Sequence, residues 1–134
     1  MPILGIGVDI LHLPRLIDLL SRRGSNAFAT RILSSQELRT FQLLSEQFGE
    51  GKTERIAQFL GVRWAVKEAA YKALYPIRPT WKEVTYLSFN RTTGVKPTLV
   101  YHPVRNDVGP ANKLHVSVSH DGDYVYAQVI AEST

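Results

Sequence analysis

The chain contains no cysteine, which removes disulfide frameworks, thiolate metal sites and cysteine nucleophiles. That suits a reducing compartment. Long apolar runs are missing too: no stretch approaches the roughly 20 residues that cross a bilayer. The opening MPILGIGVDI has no basic segment ahead of a hydrophobic one, so no secretory signal is expected. Residues 11–31 are arginine-rich and poor in acid, but they follow what reads as a folded strand and are not taken as a transit peptide. Histidines are few, and His12, His102 and His115 lack metal-ligand spacing with one another. There is no GxSxG elbow and no Rossmann fingerprint, and GEGKT at 49–53 lacks the full spacing of a phosphate loop. No internal repeat or low-complexity tract occurs. What remains is 134 residues with 44% hydrophobic content, one domain (1–134) able to build a core without staples.

The net charge is +4, from 16 Lys and Arg against 12 Asp and Glu. Residues 11–31 hold Arg15, Arg22, Arg23 and Arg31 against Asp18 alone, so much of the excess sits near the N-terminus. A basic bias fits an acidic partner or an anionic ligand. A solvated helix face has the same composition. For a nucleic-acid binder the charge is modest and no binding motif accompanies it.

Periodicity divides the chain. Ile3 to Ile10 is a short apolar run that reads as a buried strand ending at Asp9. Pro14 opens a helix that runs to about Arg23 and stops at Gly24. Ser34-Ser35-Gln36-Glu37 is a capping-box pattern and predicts a helix from there to near Phe48 and Gly49. Thr53 is placed to cap a long helix continuing to Leu74, which Pro76 and Pro79 end. The period then changes. Val84–Asn90 and Thr98–His102 read as paired strands, 103–113 as a loop, and Leu114–His120 and Tyr124–Ala131 as a hairpin signalled by Asp121-Gly122. Helices first and strands later, with one early strand, predict an α+β fold with a mostly antiparallel sheet.

The long helix carries an anomaly. RWAVKEAAYKAL, 63–74, mixes alanines, Trp64, Val66 and Leu74 with Arg63, Lys67, Glu68 and Lys72. Residues four apart share a face, so Trp64, Glu68 and Lys72 align, with Arg63 and Lys67 in a row beside them. An exposed Glu68–Lys72 pair contributes only a few tenths of a kcal/mol. With so little polar face on this helix, some of its charges are expected in a cleft, where they must be paired or metal-bound. Asp9 is open to two readings, a turn or cap residue ahead of Pro14, or a metal ligand. Magnesium takes one or two carboxylates plus phosphate oxygens and water. Asp9 and Glu68 would supply two, with lysines beside them to hold phosphates. His120 lies in a polar cluster with Ser117, Ser119 and Asp121, and reads equally as a strand-end residue, a phosphate ligand or a proton carrier. Trp81 and the aromatics of 84–89 read as core.

Three stretches together, GVDI at 7–10, WAVKEAAYK at 64–72 and VSVSHDGDY at 116–124, resemble the 4′-phosphopantetheinyl transferase superfamily. Length and spacing are closest to its short, single-module holo-acyl-carrier-protein synthases. The resemblance runs from GIGVDI to YVYAQVI, nearly the whole chain. It implies a 4′-phosphopantetheinyl transferase-like fold, a sheet packed on a long helix, three copies in a homotrimer, and active sites between neighbours. It implies an enzyme that moves the phosphopantetheine arm of coenzyme A to a serine of an acidic apo acyl carrier protein, with fatty acid and lipid synthesis as the setting. Adenosine 3′,5′-bisphosphate is the other product. Asp9 and Glu68 match the family's magnesium ligands, with manganese as an alternative. Lys72 matches the pyrophosphate lysine, and Lys67 a motif lysine near it. Arg63 matches a residue at the 3′-phosphate, and His120 the histidine near the coenzyme phosphates. Arg15, Arg22 and Arg23 lie where the family docks its carrier. Glu68, or a metal-bound water, is the candidate base, so that Asp9, Glu68 and Lys72 form the implied catalytic set.

Two departures stand out. Gly94-Val95-Lys96-Pro97 has a valine within the Gly-Lys-Pro that many short members place near the adenine, the role implied for Lys96 and Pro97. YPIRPTW at 75–81 replaces a glycine-rich turn common in bacteria, which points to a divergent, organellar or fungal subgroup. The expected setting is cytoplasmic, or the mitochondrial matrix in a eukaryote, with no nucleic acid and no membrane as partner. A non-catalytic module binding coenzyme A or an acidic protein is the alternative reading.

Overall fold

The computed structural model describes residues 2–88, 90, 92–104 and 113–133. In chain order they form β1 (Ile3–His12), α1 (Leu13–Arg23), α2 (Ser25–Ile32), α3 (Ser35–Ser45), α4 (Lys52–Leu74), a 3-10 turn at Trp81–Glu83, β2 (Val84–Leu87), β3 (Thr98–Tyr101), β4 (Lys113–Asp121) and β5 (Tyr124–Glu132). One five-stranded sheet has the order β1-β5-β4-β3-β2, and each neighbouring pair is antiparallel. The α+β expectation holds.

The long helix α4 is the axis of the molecule. On its sheet side, Ala65, Val66, Ala69, Ala70, Ala73 and Leu74 pack with Val125, Ala127, Val129 and Ala131 of β5. Its N-terminal half joins a second core, where Ile56, Ala57 and Leu60 meet Leu16, Leu20, Ile32, Leu33 and Phe41 from the shorter helices. Small residues on both elements let β1 lie directly on α4. A Cβ at Gly5 would sit 2.3 Å from the Ala73 carbonyl oxygen, and one at Gly7 only 2.0 Å from that of Ala69. Leu11 covers Gly61 farther down, so alternate residues 5, 7, 9 and 11 of β1 turn to the helix.

Several boundaries move. The strand Ile3–Ile10, expected to be buried and to end at Asp9, is an edge strand that continues to His12. Its even-numbered residues Leu4, Ile6, Val8 and Ile10 are exposed. A continuous apolar run looks like a strand covered on both faces, yet within one chain only one face is covered. Helix α2 was not anticipated, and α3 ends at Ser45 instead of near Phe48. The capping box is present, with Ser34 and Glu37 bonded reciprocally. Gly51, at φ 74°, caps α4 in place of Thr53. Strand β2 stops at Leu87, and Asn90 forms an isolated bridge with Val95. Phe89, Arg91 and most of the loop 103–113 lie outside the described residues. The last hairpin turns at Gly122-Asp123, one residue later than expected, since Asp121 pairs with Tyr124 and Gly122 takes φ 56°.

Candidate active site

The glycine contacts on β1 determine where Asp9 points. Two residues beyond Gly7, its side chain emerges on the same face, against the turn of α4 that carries Glu68 and Lys72. Lys72 Nζ donates to the Val8 carbonyl at 2.8 Å and lies 3.8 Å from Asp9 Oδ1. Trp64 Nε1 donates to Glu68 Oε1 at 3.3 Å, one helical turn away, and orients that carboxylate. Partial burial pushes the Asp9 carboxyl above its ordinary value and the nearby Glu68 charge adds to this, while Lys72 opposes both. Two carboxylates repelling each other in a half-buried position favour a shared cation. A cleft of about 330 Å³ opens here, walled by Leu11, Leu16, Leu19 and Trp64, with Asp9, Glu68, Arg15 and Arg22 at its polar positions. Among the described residues no group of three or more His, Cys, Asp or Glu side chains gathers to hold a metal. A two-carboxylate donor set fits magnesium, which keeps water and phosphate oxygens, better than zinc, which takes three or four protein ligands.

The structure thus brings Asp9, Glu68, Arg15 and Arg22 to one cleft, with Lys72 beside Asp9 but outside the cleft lining. Arg23 is exposed on α1 and is not among the residues lining it. Lys67 is a correction to the expected phosphate contact. Its Nζ reaches Glu37 Oε1 at 2.5 Å, the Ile32 carbonyl at 2.7 Å and the Trp81 carbonyl at 2.9 Å. All three of its N–H donors are occupied, so Lys67 is a buried strut between α2, α3, α4 and the 3-10 turn. Burial lowers its pKa and the Glu37 carboxylate works against that. Glu37 also accepts from the Ser34 and Tyr86 backbone N–H groups at 2.9 and 2.8 Å. The sequence showed Glu37 as a cap, but its partner Lys67 is 30 residues away and leaves no local signal.

Arg63 is buried, with its guanidinium 3.6 Å from the centroid of the Phe59 ring and Nη1 donating to the Phe59 carbonyl at 3.3 Å. Among the described residues its Nε has no partner. Desolvation lowers its pKa to about 10, although Glu37 pulls it upward. Arg63 and Lys96 line a second cleft of about 360 Å³ with Gln36, Glu37, Thr40 and Ser88. The buried trio Arg63, Lys67 and Glu37 carries two positive charges against one negative, and an anion entering this cleft would complete the balance. Pro97 follows Lys96, half-buried, outside that lining. His120 is exposed near the end of β4, paired with Val125, and one chain does not bring it into either cleft. Ser117 and Ser119, grouped with it by sequence, alternate to the opposite face of β4. Trp81, expected as core, packs half-buried against the helical core and also lines a third cleft beside Glu68 with Tyr71 and Pro79.

A family model described as the 4′-phosphopantetheinyl transferase superfamily matches residues 5–129. The chain belongs to the 4′-phosphopantetheinyl transferase superfamily. Among its relatives, a protein of Aspergillus fumigatus named 4′-phosphopantetheinyl transferase B, mitochondrial, is 36% identical over 96% of this chain and 93% of its own length. The crystal structure of holo-[acyl-carrier-protein] synthase from Neisseria meningitidis is 33% identical and superposes with a TM-score of 0.76, covering 98% of this chain and all of the other. A Bacillus anthracis holo-(acyl-carrier-protein) synthase in complex with coenzyme A (3′,5′-ADP) is 27% identical, with a TM-score of 0.70 and 98% coverage of both chains. The likeness to these two synthase structures covers 98% of this chain, and the carboxylate cleft lies within the region that the family model matches.

Proposed function

We propose that this chain transfers the 4′-phosphopantetheine arm of coenzyme A to a serine of an apo acyl carrier protein. The observation that carries this reading is the pairing of Asp9 with Glu68 beside Lys72, in a cleft whose other wall bears Arg15 and Arg22. The serine oxygen attacks the β-phosphorus of the coenzyme pyrophosphate. The bond from that phosphorus to the bridging oxygen breaks, and adenosine 3′,5′-bisphosphate leaves with the electron pair. Asp9 and Glu68 would hold magnesium, or manganese, which when bound supplies positive charge to the phosphoryl oxygens. Lys72, half exposed and pinned by the Val8 carbonyl, is placed to neutralise the departing phosphate. Glu68 is the candidate to take the serine proton. Its Trp64 hydrogen bond leaves the second carboxylate oxygen available. Positioning and charge do most of this chemistry, as in other phosphoryl transfers.

Arg15 and Arg22, two turns apart on the exposed face of α1, form the docking edge for an acidic carrier helix, with Arg23 beside them. Arg63, whose Nε has no partner among the described residues, and Lys96 fit the 3′-phosphate end of the coenzyme, with Pro97 next to the adenine. The homotrimer is the assembly this reading favours. Leu4, Ile6, Val8 and Ile10 of β1, with Tyr124 and Tyr126 of β5, leave an apolar sheet face exposed that a neighbour would cover. His120 would then serve a neighbouring copy's site. The absence of cysteine and the mitochondrial relative favour a cytoplasmic or mitochondrial matrix setting.

The test is a mass measurement. Incubated with coenzyme A, magnesium and an apo acyl carrier protein, the enzyme should add one phosphopantetheine to the carrier, and chelation should abolish the gain. Tight coenzyme A binding without any gain, across several carriers, would select the non-catalytic alternative.

A further inference from the structure

The turn between α1 and α2 carries a pattern that phosphopantetheine transfer leaves unused. Arg22-Arg23-Gly24-Ser25 is the one place in the chain where a serine or threonine has basic residues both two and three positions before it. Serine kinases that read basic residues recognise that spacing, because carboxylates in their peptide groove take the two guanidinium groups. We propose that Ser25 is a phosphorylation site whose phosphoryl group weakens docking of the acidic carrier. This rests on the transferase reading, which gives Arg15, Arg22 and Arg23 to the carrier, and adds regulation to it.

The structure makes this serine reachable. Arg22, Arg23 and Gly24 are exposed and Ser25 is half-buried. A Cβ at Gly24 would meet nothing within 4 Å, so the turn stands clear of the rest of the chain. Helix α1 ends here, and α2 has only eight residues. A kinase needs a few extended residues, and a short helix beside such a turn opens at little cost. Ser34, three residues after Arg31, fails this condition: it is buried and bonded to Glu37 and Thr85.

In the modification, Ser25 Oγ attacks the γ-phosphorus of a nucleoside triphosphate held by the kinase. The bond from that phosphorus to the β–γ bridging oxygen breaks, the diphosphate leaves with the electron pair, and the hydroxyl proton passes to the kinase's base. The product carries about two negative charges. Residues 11–31 hold four arginines against Asp18 alone, so the group offsets most of their excess. It lies two and three residues from Arg23 and Arg22, a spacing that lets both guanidinium groups fold back onto it in charge-assisted hydrogen bonds. An arginine bound to its own chain is no longer offered to a carrier. Helix α2 tolerates the charge, since its first turn has no acidic residue and, among the described residues, no side-chain cap. Asp9, Glu68 and Lys72 lie on other elements, so the chemical step should be untouched.

The test starts from unmodified wild type, with transfer from coenzyme A to an apo acyl carrier protein as the rate. Treated with the catalytic subunit of cyclic-AMP-dependent protein kinase and ATP, the protein should take a phosphoryl group that maps to Ser25, and Ser25→Ala should take none there. Phosphorylation should raise KM for the carrier about tenfold or more, keep kcat and the coenzyme A Kd within about twofold, and lose its effect as salt is added. Untreated Ser25→Ala should match wild type, and Ser25→Asp, with a single negative charge, should show part of the rise. Wild type that stays unmodified at Ser25, while a free peptide of the same sequence is modified, would mean a closed turn and overturn the inference. So would a phosphorylated protein with unchanged carrier KM, or one in which only the coenzyme A Kd moved. Wild type that transfers no phosphopantetheine and binds no carrier, before any kinase is added, would remove the underlying reading and this one together.

Discussion

Lys67 and Lys72 stand five residues apart on one helix and lead opposite lives. The Lys67 side chain is 2% exposed, with its charge met by the equally buried Glu37 carboxylate. The Lys72 side chain is 54% exposed, touches one carbonyl, and leaves Asp9 at ion-pair distance. The first region is a closed circuit that joins α2, α3, α4 and β2, and Lys67 has no donor left in it for a ligand. The second is incomplete in one chain: carboxylates that repel each other, a lysine with donors to spare, and a cleft. The comparison teaches that the lysine in a motif that can act is the one left unsatisfied.

The largest effect should come from the incomplete region. Glu68→Gln should cut phosphopantetheine transfer by about 10³-fold or more while the thermal midpoint stays near wild type. Wild-type rates from a folded Glu68→Gln protein would break the comparison at its centre. The closed region should respond in stability. Lys67→Met leaves the Glu37 carboxylate buried without its hydrogen-bonded ammonium partner and should cost about 3–5 kcal/mol in urea unfolding. A midpoint unchanged by that substitution would mean that the circuit is no strut.

A sharper contrast comes from making the same change at the other lysine. Lys72→Met should lower turnover by about 10²-fold, yet move unfolding free energy by no more than about 0.5 kcal/mol, as for a surface change. Asp9→Asn carries the smallest stability effect, and its sign is informative. The folded protein holds the Asp9 proton more tightly than the unfolded chain does, so ionised Asp9 costs stability, and increasingly so as pH rises above the ordinary value of 3.8. In chelator at neutral pH the asparagine variant should melt slightly higher than wild type, with the gap closing toward acid pH, while its activity is lost. A lower melting point at neutral pH would show that the Lys72 attraction outweighs burial and repulsion.

Much of this was legible in the residues. Alternation along 114–120, the Ser34–Glu37 cap and Pro14 are local signals, and the elements they predict are present. The Trp64, Glu68 and Lys72 stripe followed from helical spacing. What escaped depends on distant partners. Nothing near Lys67 discloses that Glu37 and two carbonyls will enclose it, so it read like Lys72. Strand β1 read as buried because apolar character does not tell a chain-internal neighbour from a surface left for another copy. Helix α2, eight residues after Gly24, is too short for periodicity to declare it. Trp81 read as core and does pack against it, but the cleft that it also lines depends on Glu68 and Tyr71 of the long helix, which no local signal brings to it.

The glycines of β1 have a last consequence, best put in the language of machining. At Gly5 and Gly7 the strand seats against α4 main chain on main chain, where even a methyl group would foul the contact. The position of Asp9 relative to the helix is therefore referenced to a hard stop, with no adjustable shim in between. Errors in filling the rest of the core do not accumulate in that dimension. The core can drift in sequence, and the helices can loosen or tighten, while the gap across the two carboxylates keeps its tolerance.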